Sequence, residues 1–287
     1  MERRTFIAAA MVAAMGVPAD AAKIEDVPKY LQEISVTVRA KGAEGSGIAF
    51  VRDGVTWVWT AAHVVDGLRK TRTVVDGKGG KKTLVEFDDA QVVRILLENG
   101  RIVGRLSIDA RVVRYSDATH GHDLALLRVR KKGFIPTTCR FFLVDQLPKV
   151  GSDLWHCGSL LGSPGAGSVT RGTMSQLGRI IGGSKVIYDQ CTVTAFPGSS
   201  GGAVTMADGR IVGMLVRGTS VQGFNLIVPV RRWRKWAKSA GVLWAMDPAV
   251  KMPTAAVLDA MPIEDAGGNK SASPPNGKAF PVLIRRD

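Results

Sequence analysis

Three residues in this sequence have side chains that can together cleave a carbonyl compound by nucleophilic attack. Ser200 lies in the glycine-rich loop Phe196–Gly202, while His63 and Asp123 lie upstream, each beside a run of apolar residues. A serine hydroxyl becomes a nucleophile when an imidazole accepts its proton and a carboxylate holds that imidazole in place. Glycines tolerate positive φ, so such a loop can aim several backbone N–H groups at a developing oxyanion.

Each of these residues also has an ordinary structural interpretation when it is taken alone. Serine and glycine most often form turns. A single histidine at a strand end is usually structural, and an aspartate at a strand entrance commonly belongs to a turn. Together they favour acyl transfer, because one chain supplies a nucleophile, a base and an orienting carboxylate.

Short runs of β-type residues, separated by Gly, Asp and Asn, must position these side chains. In the first half we expect strands at Ile34–Arg39, Gly47–Arg52, Val55–Thr60, Val92–Leu97, Val112–Tyr115 and Leu124–Val129. In the second half we expect them at Asp153–Gly158, Gly167–Leu177, Lys185–Thr194, Ala203–Thr205, Ile211–Val216 and Phe224–Val228. Many short strands without long helices between them predict an all-β fold of barrels or sandwiches.

The N-terminal end differs from this strand-rich region. Residues 1–22 predict a signal peptide, because Arg3-Arg4 precedes an apolar, alanine-rich run and Ala19-Asp20-Ala21 offers a cleavage site. The arginine pair also resembles a twin-arginine export signal, although Glu2 stands where a hydroxyl residue is usual. The alternative is an N-terminal amphipathic helix or an uncleaved anchor. We expect an exported, periplasmic or secreted protein with no stable membrane insertion after cleavage.

The C-terminal end is predicted to be helical and then irregular. Arg231–Ala240 has apolar residues at helical spacing, so we expect a helical segment at 231–246 that packs on the strands. From 247 to 287 the chain loses periodicity and becomes rich in Pro, Gly and Ser, which predicts a flexible tail.

Composition limits the classes of function. The chain has 287 residues, of which 45% are hydrophobic, so it can bury a core. Its formal net charge of +14 could attract nucleic acid, anionic membranes or acidic proteins. It lacks a zinc knuckle, a helix-turn-helix and an aromatic-interleaved RNA motif, so no nucleic-acid partner is expected. Cys139, Cys157 and Cys191 form no C-x-x-C pair and leave open either one disulfide or buried thiols.

The order and surroundings of the three candidate residues resemble those of trypsin/chymotrypsin-like serine proteases. The strings are Thr60-Ala61-Ala62-His63, His122-Asp123-Leu124-Ala125 and Gly198-Ser199-Ser200-Gly201-Gly202. Gly167–Ser175 and Gly209–Pro229 are similar to segments of the bacterial HtrA/DegP-type branch. The resemblance covers residues 34–230 and implies two six-stranded antiparallel β-barrels, at 23–140 and 141–230, followed by a C-terminal helix. From the stretch that follows Val230, we expect no PDZ domain of the kind that HtrA proteins have.

The resemblance also implies a role for each residue. Ser200 would be the nucleophile, His63 the general base and acid, and Asp123 the residue that orients His63. The N–H groups of Gly198 and Ser200 would form the oxyanion hole. Ser199 stands where the trypsin branch has an aspartate that pairs with a new N-terminus, so activation by that route is not expected.

Substrate binding is predicted by the same register. Thr194 would lie at the floor of the specificity pocket, while Gly213, Met214 and Leu215 would pair with the substrate backbone. No acidic residue is evident at the floor, so we expect small or medium apolar side chains at the cleaved position. We expect no metal and no cofactor. The alternative for His120 and His122 is a metal site that they would form with Asp123. His156 is expected to be a structural strand histidine.

The preferred function is therefore a serine endopeptidase that acts on exported or misfolded proteins or peptides, with its oligomeric state undetermined. Two alternatives remain at this point. One is a catalytically silent homologue that binds extended peptides. The other is a basic protein that binds nucleic acid or the cell envelope.

Overall fold

The structure is a computed structural model, and it describes residues 24–75, 80–181, 186–218 and 223–265. The predicted signal peptide at 1–22 lies outside the described residues, as do residues 266–287 of the predicted tail. In the described part of the chain, no helix is long and apolar enough to cross a membrane.

The first half of the chain forms a closed antiparallel barrel. Its strands and an inserted hairpin are β1 (Ser35–Ala40), β2 (Ala43–Arg52), β3 (Val55–Thr60), β4 (Arg69–Val75), β5 (Lys81–Phe87), β6 (Ala90–Glu98), β7 (Arg101–Ser116) and β8 (Leu124–Val129). The barrel order is β1-β2-β3-β8-β7-β6. The turns Asp53-Gly54 and Asn99-Gly100 have positive φ at both residues, which suits the twist of tight hairpins.

The second half forms a second closed antiparallel barrel. Its strands are β9 (Asp153–Leu160), β10 (Gly165–Ile180), β11 (Ile187–Cys191), β12 (Ala203–Met206), β13 (Ile211–Gly218) and β14 (Asn225–Pro229). The order is β10-β11-β14-β13-β12-β9. The predicted fold class of two six-stranded barrels is confirmed, and the strands of each barrel fall inside the segments 23–140 and 141–230.

The hairpin of β4 and β5 was not predicted from the sequence. It forms a separate two-stranded sheet beside the first barrel. Most of its side chains are exposed, and Arg72 pairs with Glu86 across the two strands. The segment shows no regular apolar alternation, because most of the hairpin outside Phe87 is not packed against a core.

In the described part of the chain, three helices pack on the barrels, and tryptophan rings join one of them to β3. They are α1 (Val27–Ile34), α3 (Val230–Ser239) and α4 (Ala255–Ala260), while the short α2 (Ala62–Val65) follows β3 directly. Trp59 of β3 lies edge-on to Trp233 and Trp236 of α3, at centroid distances of 5.1 and 6.0 Å. The predicted C-terminal helix therefore contacts the first barrel as well as the second.

Residues 247–265 differ from the flexible tail that we expected. Leu258 of α4 is buried, Glu264 bridges to Tyr115 of β7, and Asp265 accepts a hydrogen bond from the Trp236 indole at 2.8 Å. Arg52 also donates to the carbonyls of Pro248 and Val250. Individual contacts such as these hold a segment that has no periodic pattern of its own.

The three cysteines are free thiols. Cys157 and Cys191 are buried in the two cores, and burial raises the pKa of each thiol to about 12. Such thiols are unreactive at neutral pH, because the thiolate is the nucleophilic form. The choice that the sequence left open is therefore resolved in favour of free thiols.

Candidate active site

His63 and Asp123 meet because β3 and β8 are neighbours in the first barrel. Thr60 at the end of β3 pairs with Ala125 near the start of β8. His63 lies in α2 just after β3, and Asp123 lies just before β8. Antiparallel pairing thus brings together two residues that are 60 positions apart in the sequence.

The His63–Asp123 pair has the geometry of an oriented base. The Nδ1 atom of His63 lies 3.0 Å from both carboxylate oxygens of Asp123. The backbone N–H of His63 also donates to Asp123 Oδ1 at 3.1 Å. A carboxylate is an acceptor only, so Nδ1 carries the proton of the neutral ring and Nε2 is left as the base.

Each member of the pair changes the pKa of the other. Burial would raise the pKa of Asp123, but the charge and hydrogen bonds of His63 hold it below its ordinary value. Burial would lower the pKa of His63, yet the nearby Asp123 carboxylate raises it above its ordinary value. Asp123 is 1% exposed and the His63 side chain is 38% exposed, so the ring connects a buried charge with the solvent-accessible site.

Ser200 reaches the same place from the second barrel. Its carbonyl accepts a hydrogen bond from Ser46 of β2 at 2.7 Å. A Cβ atom added at Gly45 would lie 3.0 Å from that carbonyl oxygen and 2.5 Å from Val64 of α2. Gly45 therefore lies closely packed between the loop of Ser200 and the helix that bears His63.

Among the described residues, the Ser200 hydroxyl has one hydrogen-bond partner, the carbonyl of Val216, at 3.4 Å. In the part of the chain that the structure describes, no hydrogen bond joins Ser200 to His63. The nucleophile–base contact of such sites is often long without substrate and shortens when substrate binds. The structure thus shows Ser200 turned toward β13.

The peptide bond between Pro197 and Gly198 is held in one orientation. The Pro197 carbonyl accepts from the N–H of Leu161 at 2.7 Å. Because C=O and N–H point in opposite directions across a trans peptide, the Gly198 N–H points away from Leu161. Among the described residues, neither the Gly198 nor the Ser200 N–H donates to another group. These two donors are available to an oxyanion.

Gly198 itself is required by the close packing of this loop. Its φ is +95°, and an added Cβ atom would lie 2.2 Å from the Ser159 carbonyl oxygen. Its own carbonyl accepts from the Ser46 hydroxyl at 2.7 Å. Ser46 therefore fixes the peptide on one side of Gly198, and Leu161 fixes the peptide on the other side.

Ser199 closes the loop internally. It is fully buried, its N–H donates to the Phe196 carbonyl at 2.9 Å, and its hydroxyl accepts from the Phe196 N–H at 3.1 Å. These two bonds form a tight turn directly before Ser200. The turn needs no buried carboxylate and no ion pair with an N-terminus.

Comparison with known proteins shows the family of the chain. A family model described as the trypsin-like peptidase domain matches residues 45–214, which is more than half of the chain. This chain belongs to the trypsin-like peptidase family, a family of serine endopeptidases. It is 28% identical over 198 residues to a serine protease Do-like HtrA of Lactobacillus helveticus. That match covers 65% of this chain but only 40% of the relative, so the chain spans less than half of the relative's length.

Solved structures support the fold of this trypsin-like peptidase. An inactive form of Rv3671c from M. tuberculosis has a TM-score of 0.53 at 19% identity, covering 79% of this chain and 95% of that chain. Deg5 has a TM-score of 0.54 at 20% identity, covering 77% of this chain and 94% of that chain. At such identities the likeness concerns the fold, and it agrees with the two barrels described above.

The residues predicted to pair with a substrate backbone lie inside the sheet of the second barrel. Gly213 pairs with Val204 and Pro229, and Met214 pairs with Ala203 and Val228. Leu215 is 1% exposed, and its N–H and C=O are bonded to Gly202 and Gly201. The backbone groups of these three residues are therefore already used by the sheet and by the loop of Ser200.

Among the described strands, none pairs with the β12 side of β13 from Val216 onward, and we call this stretch the open edge of β13. The partner strand β12 starts at Ala203, which pairs with Met214, so β12 does not extend alongside Val216, Arg217 and Gly218. The carbonyl of Val216 contacts the Ser200 hydroxyl, and the charge of Arg217 lowers the pKa of both His63 and Asp123. Sequence reasoning missed Val216, Arg217 and Gly218, because the position of the open edge of β13 depends on where β12 starts.

Thr194 is exposed in the structure, and its carbonyl accepts a hydrogen bond from the Thr170 hydroxyl at 2.9 Å. The preceding carbonyl, of Val193, accepts from the side chain of Asn225 at 2.6 Å. Asn225 pairs with Gly218 at the end of β13. These contacts connect the Thr194 segment to the open edge of that strand.

The other histidines have separate partners. The His122 ring lies near Trp236 and accepts from Arg232 at 3.4 Å, while the Asp123 carboxylate binds His63. His156 is fully buried with Nδ1 at 2.9 Å from the Ala203 carbonyl, and burial lowers its pKa to about 4. Within the described ranges, no three His, Cys, Asp or Glu side chains are grouped to hold a metal.

Proposed function

We propose that this chain is an endopeptidase in which Ser200, His63 and Asp123 hydrolyse peptide bonds through an acyl-enzyme. The observation that supports this most directly is the His63–Asp123 pair, whose ring nitrogen lies 3.0 Å from both oxygens of a buried carboxylate. A charge of this kind is costly to bury unless it is paired. The pair lies against the loop whose Gly198 and Ser200 N–H groups are available.

In the proposed reaction, Ser200 Oγ attacks the carbonyl carbon of the substrate while His63 Nε2 takes its proton. The resulting oxyanion is stabilised by the N–H groups of Gly198 and Ser200. His63 then gives the proton to the leaving amine, and the C–N bond breaks to leave an acyl-enzyme. Water repeats these steps with His63 as base, releasing the acid, and Asp123 stabilises the imidazolium each time.

The open edge of β13 is the proposed binding site for the substrate backbone. An extended peptide can add to such an edge as a further strand. The Val216 carbonyl would accept the substrate N–H and thereby release the Ser200 hydroxyl, which could turn toward His63. The neighbouring Thr194, Gly218 and Asn225 are uncharged, which supports a small or medium apolar side chain at the cleaved position.

The proposed substrates are exported or misfolded proteins. This part of the proposal rests on the export signal that residues 1–22 predict and on the similarity to an HtrA-type serine protease. An extended backbone is also what an unfolded protein offers to a strand edge.

A fluorophosphonate probe tests the proposal, because it phosphonylates an activated serine with loss of fluoride and needs no knowledge of the substrate. We expect labelling of the wild type and its loss in Ser200→Ala and His63→Ala. The matched controls are Ser107→Ala and His120→Ala, which change exposed residues of the same types and should retain labelling. If the folded wild-type protein is never labelled, the proposed endopeptidase activity is refuted.

One observation favours a second candidate, a catalytically silent homologue that binds extended peptides. The Ser200 hydroxyl bonds to Val216 and not to His63. If that orientation persists with substrate, the cleft binds peptides without cleaving them. The same labelling experiment decides between the two, because a silent homologue shows equal, negligible labelling in wild type and Ser200→Ala.

A further inference from the structure

The loop that follows β9 holds the oxyanion peptide in place but has little support of its own. Leu161 donates its N–H to the Pro197 carbonyl at 2.7 Å and has a φ of +61°. This left-handed conformation costs about 1 kcal/mol or more for a residue with a side chain. The side chain of Leu161 is 65% exposed, so it does not anchor the loop. Neighbouring residues must hold Leu161 in this conformation.

The anchor lies two residues further, at Ser163. Its N–H donates to Glu44 Oε2 at 2.8 Å, and its hydroxyl lies 3.0 Å from the same carboxylate oxygen. Arg39 donates to the Ser163 hydroxyl at 2.7 Å, and Arg105 donates to the Ser163 carbonyl at 3.0 Å. Side chains of the first barrel therefore bind both backbone polar groups of Ser163 and its hydroxyl.

Glu44 is well placed to act on the oxyanion loop from β2. It lies two residues before Ser46, whose hydroxyl donates to the Gly198 carbonyl at 2.7 Å. A Cβ atom added at Gly162 would lie 2.5 Å from Glu44 Oε2, so the loop is packed closely onto this carboxylate. The same strand thus contacts Gly198 directly and, through Glu44, the loop that supports Pro197.

We propose that Glu44 is a positioning residue that keeps the Gly198 N–H in the oxyanion hole, acting through Ser163, Leu161 and Pro197. This inference rests on the proposed function of the site. The loop turn at Ser199 contains no carboxylate that could order it from within. Glu44 supplies the ordering hydrogen-bond acceptors from the opposite barrel.

The charges around Glu44 fit this role. Arg39 donates to Glu44 Oε1 at 2.7 Å, and Arg105 reaches the same loop from β7. Burial would raise the pKa of Glu44, but the hydrogen bonds from Ser163 and the charge of Arg39 hold it below its ordinary value. The carboxylate is ionised at neutral pH and can accept both hydrogens of Ser163. Because the Arg39–Glu44 pair is 37% exposed, the pair itself stabilises the fold little.

Hydrolysis of p-nitrophenyl butyrate and binding of a peptide aldehyde together test this role. For Glu44→Ala we expect kcat to fall about 10- to 100-fold with KM unchanged, because a misplaced donor mainly affects the transition state. The aldehyde acetyl-Ala-Ala-Val-H forms a tetrahedral adduct that uses the oxyanion hole. Its affinity should fall by the same factor, while the affinity of the corresponding alcohol stays unchanged. Glu44→Gln keeps an acceptor for the Ser163 N–H and should recover most of kcat.

The matched control is Glu86→Ala, which removes a glutamate that also pairs with an arginine on the exposed β4–β5 hairpin. Wild-type kcat in this control, together with the selective loss in Glu44→Ala, supports the positioning role. If Glu44→Ala and Glu86→Ala have the same kcat and the same aldehyde-to-alcohol affinity ratio, Glu44 has no such role. In that case a wild type labelled by fluorophosphonate leaves the proposed function standing, whereas an unlabelled wild type overturns both.

Discussion

His63 has a pKa that depends on one neighbour above all. Burial lowers this pKa and the charge of Arg217 lowers it further, while Asp123 raises it. Because the net shift is upward, the neutral base becomes the major form only at a pH above the ordinary imidazole pKa of about 6.5. We therefore expect the acid limb of kcat/KM to have its midpoint above pH 6.5.

Asp123→Asn tests this dependence. The substitution removes the charge that raises the pKa of His63 and favours the wrong ring tautomer, so kcat should fall on the order of 10⁴-fold. The midpoint of the acid limb should move to lower pH, since burial and Arg217 still lower the pKa. A pH–rate profile of p-nitrophenyl butyrate hydrolysis measures both effects.

Asp66→Asn is the matched control for this prediction. Asp66 also raises the pKa of His63 by its charge, but the structure bonds it to the Tyr115 hydroxyl at 2.7 Å and not to the ring. We expect a smaller shift of the limb without a loss of kcat at high pH. An acid limb that is unchanged in Asp123→Asn would contradict the assigned pair.

Individual residues differed in how well the sequence predicted them. His63, Asp123 and Ser200 were predicted from their order and local strings, and the structure places them on adjoining segments. Glu44 gave no signal, because its partner Ser163 is 119 residues away and the contact exists only after the two barrels pack. A local pattern can indicate which residue type is reactive, but not what holds its neighbours.

At the scale of the element, the backbone conformation of the loop Phe196–Gly202 depends on glycine. Gly198 has a φ of +95° and no room for a Cβ atom beside the Ser159 carbonyl. For Gly198→Ala we expect kcat to fall 10²- to 10³-fold, on the order of the loss of one oxyanion donor. Burst titration with p-nitrophenyl butyrate, with a thermal melt to show folding, measures this loss.

Gly54→Ala separates the loss of a donor from backbone strain. Gly54 has a φ of +71°, but an added Cβ atom would meet nothing within 4 Å. This control should lose about 1 kcal/mol of stability and keep kcat. Equal kcat values in Gly198→Ala and the control would show that the Gly198 N–H is not part of the oxyanion hole.

The elements themselves were predicted unevenly, for physical reasons. Buried barrel strands show apolar runs, and these were located. The exposed β4–β5 hairpin lacks such a pattern, and the open edge of β13 depends on where β12 begins. Gly213, Met214 and Leu215 were expected at that edge, yet their backbone groups are paired on both sides. The position of a strand can be estimated from its own sequence, whereas the position of its open edge also depends on where the neighbouring strand begins.

At the scale of the molecule, α3 connects the second barrel to the strand that leads to His63. It follows β14 directly, and its tryptophans pack on Trp59 of β3. The Trp59 indole also donates to the Ala245 carbonyl at 3.1 Å, beyond the end of α3. The sequence predicted one apolar face for this helix but not its contact with the first barrel. Because α3 contacts both barrels, we expect the two barrels to unfold cooperatively.

Trp233→Ala tests that cooperativity. Trp233 is fully buried, with its ring 5.1 Å from Trp59 and 5.0 Å from Phe141 of the segment between the barrels. Removing it should lower the free energy of unfolding by about 3–5 kcal/mol while unfolding by urea remains a single transition. In the control Trp155→Ala, a half-buried ring stacked under Arg171 at 4.6 Å is lost, which should cost about 1 kcal/mol. Two separate transitions in the wild type, or equal losses of stability in the two variants, would mean that α3 does not couple the barrels.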